Sequence, residues 1–391
     1  MLNNKKILVA VCGSISFYKA YEIISKLKKL NADVYVGLSD GALKFASPQS
    51  FEALSGNKVI CSKTANWSEG INHIKYSKFD LVLIAPATVN TINKLANGIC
   101  DSVFMDTLIA SSNVPLLIAP AANYRMLEHF SYKINSKLLS ENGATFVNPV
   151  TKTLVCGETG KGALAEVDNI IYAVIREFFK DSYYVGKTII ITGGPTTEKI
   201  DDVRVISNLS SGKMGKALAD AFYYLGANVI FISSVEFNTP YKLLKFDSSF
   251  GLKSAIESQK YNNGDILIMA AAVSDFIPNK IKGKLTKSDY HEVFTLNFKQ
   301  NMDILSSVKI PNLVKIGFKL EVERKTGLEN AKKMLNEKGL DAVCLNVLNQ
   351  DVKFGGDTTK ITFITEKNTT EIPLNSKENV SFEIAKLIKS I

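Results

Sequence analysis

No apolar run in this 391-residue sequence approaches the roughly 20 residues that a bilayer-spanning helix needs. Its start, Met1-Leu2-Asn3-Asn4-Lys5-Lys6, leads straight into a strand-like run without a small-residue cleavage site, so the expectation is a cytoplasmic protein with no membrane partner. The five cysteines, Cys12, Cys61, Cys100, Cys156 and Cys344, form no CxxC pair and are odd in number, which indicates neither a disulfide framework nor a zinc knuckle. Histidine is scarce, with only His73, His129 and His291. A GxGxxG dinucleotide fingerprint is missing too. Gly212-Lys213 is not a Walker loop, because Met214 stands where a Ser or Thr would hold magnesium and no glycine lies five positions before Gly212. The net charge of +9 is spread evenly, +5 over residues 1–180 and +4 over the rest, so no basic tail or stripe argues for nucleic acid.

What remains is a composition for two folded α/β domains, since single cores stop growing near roughly 250–300 residues and 46% of these residues are hydrophobic. Short apolar runs at Lys6–Val11, Asp33–Leu38, Leu81–Ala85 and Val114–Ala119 read as buried parallel strands. Ile23, Ile24, Leu27 and Leu30 recur at helical spacing between the first two. The pattern restarts after Asp181-Ser-Tyr-Tyr-Val-Gly-Lys187, at Thr188–Thr192 followed by Gly193-Gly194-Pro195-Thr196, placing a domain boundary near 184. Further buried strands are expected at 228–233, 265–270, 313–318 and 341–346, an edge strand at 359–365, and a mobile basic loop at 280–287.

Five features carry chemistry. Both strand-to-helix turns, at Gly13 and at Gly193-Gly194, lead toward a helix N-terminus, where free N–H groups favour phosphate, although such turns also serve structure alone. Val203-Arg204-Val-Ile-Ser-Asn208-Leu-Ser-Ser-Gly212-Lys213-Met-Gly215 gathers guanidinium, amide, hydroxyls, glycines and an ammonium within thirteen residues, a density that suits phosphate or carboxylate. Asn123 follows a strand's carboxyl end, where it is either a ligand-facing amide or a helix cap. His73 is by itself either a structural group or a proton-transfer base, and Cys156, in a glycine-rich stretch, is either a loop-surface thiol or an inert one.

Taken in order, these segments resemble the bacterial bifunctional phosphopantothenoylcysteine decarboxylase / phosphopantothenate-cysteine ligase family over nearly the whole chain. Gly13-Ser14, Asn72-His73-Ile74, Ala85-Pro86-Ala87-Thr88, Pro120–Met126 and Cys156-Gly157 look like its flavin-dependent half. Thr192–Thr196, Arg204–Asn208, Ser210–Gly215, Ala270–Asp275, Lys280-Ile-Lys282 and Gly317-Phe318 look like its ligase half.

The resemblance implies two Rossmann-like three-layer domains with mostly parallel sheets, a flavodoxin-like one over 1–183 and a ligase domain over 184–391. It implies coenzyme A biosynthesis: CTP with Mg2+ activates 4'-phosphopantothenate as an acyl-cytidylate, cysteine displaces CMP, and the product is decarboxylated with FMN. By the same likeness His73 is a base, Asn123 binds the substrate carboxylate or amide, and Cys156 protonates the enethiolate. Gly13, Ser14, Ser39, Thr88 and Asn90 hold FMN. Asn208 serves the acyl-cytidylate step with Arg204 beside it. Met269, Ala270, Ala271, Asp275, Lys280, the Asn301-Met302-Asp303-Ile304 segment, Phe318 and Lys338 form the CTP site. A homo-oligomer, trimers of one domain joined by dimers of the other into a dodecamer, is implied as well.

Three positions depart from the family pattern: Ala122 stands for a Met before the catalytic Asn, Met302 for a Pro, and Met334 for a second nucleotide-binding Lys, with Lys333 one residue earlier. The last two bear on nucleotide affinity and the preference for CTP. Competing expectations are a flavin prenyltransferase or peptidyl-cysteine decarboxylase, which the fused second half opposes, and a non-catalytic flavin-binding regulatory subunit, which a decarboxylation assay separates.

Overall fold

A computed structural model describes residues 1–64, 78–111, 113–153, 159–286, 295–348 and 355–391. The chain divides into two compact units, Met1–Phe178 and Phe179–Ile391. Among the described residues no helix is long and apolar enough to cross a membrane.

In the first unit β1 (Lys6–Val11), β2 (Asp33–Leu38), β3 (Leu81–Ala87), β4 (Leu116–Pro120) and the short β5 (Thr145–Phe146) form a parallel sheet in the order β2-β1-β3-β4-β5. These strands read as continuous apolar runs because both faces are covered. Leu8, Ala10, Val82, Ile84 and Ile118 point to one core, with Phe104, Met105 and Leu108 of a helix packed on them. Among the described residues its α-helices are α1 (Lys19–Lys29), α2 (Pro48–Ser55), α3 (Val89–Ala96), α4 (Val103–Ala110), α5 (Tyr124–Glu128), α6 (Phe130–Glu141) and α7 (Val167–Phe179). In α1, Ala20, Ile23, Ile24 and Leu27 are the buried face, matching the spacing read from the sequence. An antiparallel hairpin, β6 (Val150–Thr153) and β7 (Thr159–Ala163), precedes α7. The strand order turns back between β1 and β3, and at such a switch point neighbouring loops diverge to open a crevice beyond the carboxyl ends of the strands.

The second unit is built on an eight-stranded sheet. Its strands are β8 (Thr188–Gly193), β11 (Asn228–Ser233), β12 (Lys242–Lys245), β13 (Ile266–Met269), β16 (Val314–Glu321), β17 (Ala342–Val347), β18 (Thr358–Ile364) and β19 (Thr369–Ser376), in the order β12-β11-β8-β13-β16-β17-β18-β19. The last three pair antiparallel and the others parallel. Alternate residues go to opposite cores. Ile189, Ile191, Ile266, Ile268 and Cys344 meet Leu218 and Phe222 of α8 (Lys213–Tyr224) and Val380 and Ile384 of α12 (Lys377–Ile388). Ile190, Leu267, Met269, Val343 and Leu345 meet α9 (Ser249–Glu257), α10 (Ile304–Ser307) and α11 (Arg324–Glu337) through Leu252, Leu305 and Leu335. That division produces three layers. Two small antiparallel ribbons, β9 (Thr197–Lys199) with β10 (Val205–Ser207) and β14 (Phe276–Pro278) with β15 (Phe298–Gln300), stand off the sheet.

Two expectations are corrected. The strand at Thr358–Ile364 is not an edge, because β19 covers it and is itself the edge. The described part of the basic loop is tied down: Ile281 N donates to Ile200 O at 2.9 Å, and Asp202 N to Gly283 O at 3.1 Å.

Candidate functional site

The first unit brings Gly13, Ser14, Ser39, Thr88, Asn90 and Asn123 to one edge of the sheet, each a few residues beyond the carboxyl end of β1, β2, β3 or β4. Local chemistry fixes several of them. Ser14 caps a single helical turn by accepting from Ser16 N at 3.3 Å, and Ser39 accepts from Ala42 N at 3.2 Å. Thr88 caps α3, accepting from Thr91 N at 3.3 Å. Thr88 Oγ1 also donates to Thr91 Oγ1, 3.2 Å away, and the buried Cys12 thiol reaches the same oxygen at 3.2 Å. Burial raises the Cys12 thiol pKa, so it stays protonated and serves as a donor.

Neither the Ser14 turn nor α3 carries an acidic residue in its first turn, which leaves both N-termini open to an anion. Gly13 is required by close approach, since a Cβ there would lie 2.6 Å from the Gly41 backbone. These hydroxyls, turns and helix starts at the β1/β3 switch point fit the phosphate of a bound mononucleotide such as a flavin. Asn123 caps α5, its Oδ1 accepting from Arg125 N at 2.9 Å. His73 and Cys156 lie outside the described residues.

The second unit holds a cleft of about 1010 Å³ at the carboxyl edge of β8, β13 and β16. Glycines make it possible. Gly212, at φ 70°, turns the chain into α8, and Gly215 lets that helix approach the end of β8 so closely that a Cβ would sit 2.9 Å from both Gly193 Cα and Thr192 O. The Ala270–Ala272 loop is held beside it, with Ala271 N donating to Thr192 Oγ1 at 3.0 Å and Ala272 N to Gly194 O at 2.9 Å.

Of the residues expected from the sequence, Asn208, Met269, Ala270, Ala271, Asp275, Asn301, Met302, Asp303, Ile304, Phe318 and Lys338 all line this cleft. Asn208 is oriented by donating to the carbonyls of Ala272 and Val273 at 3.3 and 3.2 Å. Asn301 donates to Ser274 O at 2.7 Å. Asp303 caps α10 and pairs with Lys338 at 3.0 Å. Burial works against its charge, but the Ser306 N–H and the Lys338 ammonium prevail and keep its carboxyl below the ordinary range.

Two expected residues are not among the cleft's lining. The Arg204 guanidinium bonds Asp201 Oδ2 at 2.6 Å and Leu285 O at 3.0 Å. Asp201 is fully buried; burial opposes its ionisation, yet the backbone N–H groups of Arg204, Leu285 and Val203 and the guanidinium outweigh it and hold the carboxyl well below the usual range. Lys280 pairs with Asp202 at 2.7 Å. Sequence reasoning missed Asn346, Thr359 and Lys377, which also line the cleft. The one available signal was an asparagine closing an otherwise apolar strand.

Two anion-suited crevices, each at the carboxyl edge of a mostly parallel sheet, define a two-unit α/β nucleotide-binding protein with a flavodoxin-like first half. The family comparisons make it specific. Residues 1–179 match the Flavoprotein family and residues 184–391 the DNA/pantothenate metabolism flavoprotein C-terminal domain. The Coenzyme A biosynthesis bifunctional protein CoaBC of Bacillus subtilis (strain 168) is 39% identical over 100% of this chain and 98% of its own. That of Borreliella burgdorferi is 35% identical over 99% and 100%. A crystal structure of the C-terminal domain of a CoaBC protein is 29% identical with a TM-score of 0.44, covering 54% of this chain and 97% of that one. The chain belongs to the CoaBC family of coenzyme A biosynthesis bifunctional proteins.

Proposed function

We propose that this chain ligates cysteine to 4'-phosphopantothenate with CTP in residues 184–391 and decarboxylates the product with FMN in residues 1–183, yielding 4'-phosphopantetheine. Full-length membership in the CoaBC family supports both activities. The single observation that carries the ligase assignment is the cleft itself, where an amide (Asn208), a helix N-terminus (Gly212–Gly215) and a carboxylate–ammonium pair (Asp303–Lys338) converge.

The ligation brings a carboxylate and a triphosphate together, so cationic and N–H groups have to offset their repulsion. Asn208, held by two backbone carbonyls, is oriented to meet the activated acyl group, and the Asn301–Ile304 segment with Lys338 to hold the nucleotide. Mg2+ would arrive with CTP, ligated mainly by phosphate oxygens, and Asp275 and Asp303 are the carboxylates among the described lining residues. Arg204 acts by bracing Asp201, and through it the loop carrying Asn208.

In the first unit bound FMN would supply two-electron oxidation of the cysteine moiety, creating the electron sink that lets carbon dioxide leave. Ser14, Ser39 and Thr88 would hold its phosphate at the β1/β3 switch point, with Gly13 and Asn90 beside them. Asn123 would bind the substrate carboxylate or amide, His73 act as base and Cys156 return a proton. Assembly into a homo-oligomer, a dodecamer, is part of the same proposal.

The test supplies 4'-phosphopantothenate, cysteine, CTP and Mg2+ to the full chain and looks by mass spectrometry for 4'-phosphopantetheine, CMP and carbon dioxide. Release of CMP without carbon dioxide would remove the decarboxylase. A yellow protein that neither ligates nor decarboxylates would point to the regulatory alternative.

A further inference from the structure

Three consecutive carbonyls in the ligase cleft each hold a side-chain amide of the candidate site. Asn208 Nδ2 donates to Ala272 O at 3.3 Å and to Val273 O at 3.2 Å, and Asn301 Nδ2 donates to Ser274 O at 2.7 Å. Asn208 follows β10 and Asn301 follows β15, so the Ala272–Ser274 segment sets the spacing between them. Asn301 N also donates to Asp275 O at 2.8 Å, which extends the same attachment by one residue. One amide is oriented to the acyl group and the other opens the nucleotide segment. Their spacing therefore governs how the two reacting groups approach.

Thr196 pins that segment from behind the cleft's described lining, and it is fully buried. Its N–H donates to Ala272 O at 3.1 Å, the same carbonyl that Asn208 uses. Its Oγ1 accepts from Ser274 N at 3.1 Å and donates to Ser274 Oγ at 3.3 Å. On its other side Thr196 O accepts from Ser207 Oγ at 2.9 Å, one residue before Asn208. A single threonine thus clamps both ends of the segment and the strand that leads to Asn208. The next two residues tie in a third loop: Thr197 N donates to Asp247 O at 2.7 Å, and the buried Glu198 accepts at Oε1 from Ser249 N at 2.9 Å. Ser249 Oγ in turn donates to Asn301 Oδ1 at 3.4 Å. Packing alone does not call for a hydroxyl at position 196, since valine has nearly the same shape. The Ser274 N–H calls for it, because Ser274 is only 8% exposed and a buried donor has to find an acceptor.

We infer that Thr196 is a positioning residue for ligation: through Ala272 O, Ser274 N and Ser207 Oγ it sets the distance between the Asn208 amide and the Asn301 segment. The inference rests on the ligase reading above and adds a residue that acts through others. In the first step a carboxylate oxygen of the acid attacks the α-phosphorus of CTP, and pyrophosphate leaves with the electron pair of the broken P–O bond. Binding either substrate by itself needs only one of the two amides. The attack needs both at a fixed spacing, so loosening the clamp lowers turnover and spares affinity.

The experiment measures steady-state CMP release by the full chain with 4'-phosphopantothenate, cysteine, CTP and Mg2+, and the single-turnover burst of pyrophosphate without cysteine. In Thr196→Val kcat should fall about 10- to 100-fold, the scale of a misplacement near one ångström, while the KM values for CTP and for the acid hold. The pyrophosphate burst should slow with it. Thr196→Ser, which keeps the hydroxyl, should recover most of the loss. Ser207→Ala, at an exposed position, removes only the outer bond; it should lower kcat less and keeps the test open if Thr196→Val unfolds. Tyr184→Phe is the control for stability: it removes a buried hydroxyl that donates to Ala385 O near the amino end of β8, away from the cleft, and should leave kcat unchanged. Full turnover in Thr196→Val and Ser207→Ala, a loss carried by KM instead of kcat, or equal loss in Thr196→Ser and Thr196→Val would overturn the inference while leaving the ligase reading intact. A wild-type chain that releases no CMP would overturn the ligase reading itself.

Discussion

Gly215→Ala tests whether the approach of α8 to the end of β8 is what builds the ligase cleft. An added Cβ would sit 2.9 Å from Gly193 Cα and 2.9 Å from Thr192 O, with Phe231 Cε2 at 3.1 Å. Two of these are backbone atoms inside the sheet and its turn, so relief has to come from the helix moving outward. Overpacking of this kind costs about 1–3 kcal/mol, against which alanine regains about 1 kcal/mol of helix propensity over glycine. A net loss of up to about 2 kcal/mol follows, and with a urea slope near 2 kcal/mol/M the midpoint falls by up to about 1 M. The helix start carries Gly212 and Lys213, so a shift of about half an ångström or more also misplaces cleft groups, and ligation should drop about 10-fold or more. The assay follows residual CMP release and flavin absorbance on the same urea series. The ligation midpoint should move and the flavin midpoint should not. An unchanged or raised ligation midpoint with full activity would show that the helix is not held by this contact.

Asn208→Asp should impair ligation and spare decarboxylation, read by CMP release against carbon dioxide release; equal loss of both would contradict the division near residue 184. Thr88→Val removes the cap of α3 and should cost about 1 kcal/mol while weakening flavin retention, measured by absorbance after dialysis; full retention would remove Thr88 from the cofactor site. Asp201 has a folded pKa below its unfolded value near 3.9, so its contribution is full above that value and is lost as pH falls through the folded one. Asp201→Asn should therefore be less stable at neutral pH but flatter in acid; a parallel pH profile would assign the acid sensitivity elsewhere. Cys156→Ser should oxidise substrate yet stall before product, and normal turnover would free Cys156 of its role.

The buried parallel strands were legible because each is an uninterrupted apolar run, and the two turns because strand ends lead directly to helix starts. Most ligase-site residues came from the family resemblance, and they meet because β8, β13 and β16 are neighbours in the sheet, which brings their carboxyl-end loops together. What escaped had weak local patterns. β12, Lys242–Lys245, has polar ends and half-buried leucines, and β19 is largely exposed, so neither shows the apolar run of a central strand. Without β19, the strand at Thr358–Ile364 reads as an edge.

The same blindness hid Lys377. Its place on the cleft comes from a sheet order that carries the chain outward through β17, β18 and β19 and returns it as α12 to the side of α8. No short motif encodes that return, and a lysine opening a surface helix is unremarkable in one dimension. In three dimensions it stands at the second of two helix starts on one cleft, whose lining also holds Thr359 and Asn346. Motifs reveal groups brought together by adjacent strands; groups brought together by the far end of a sheet show only in the fold.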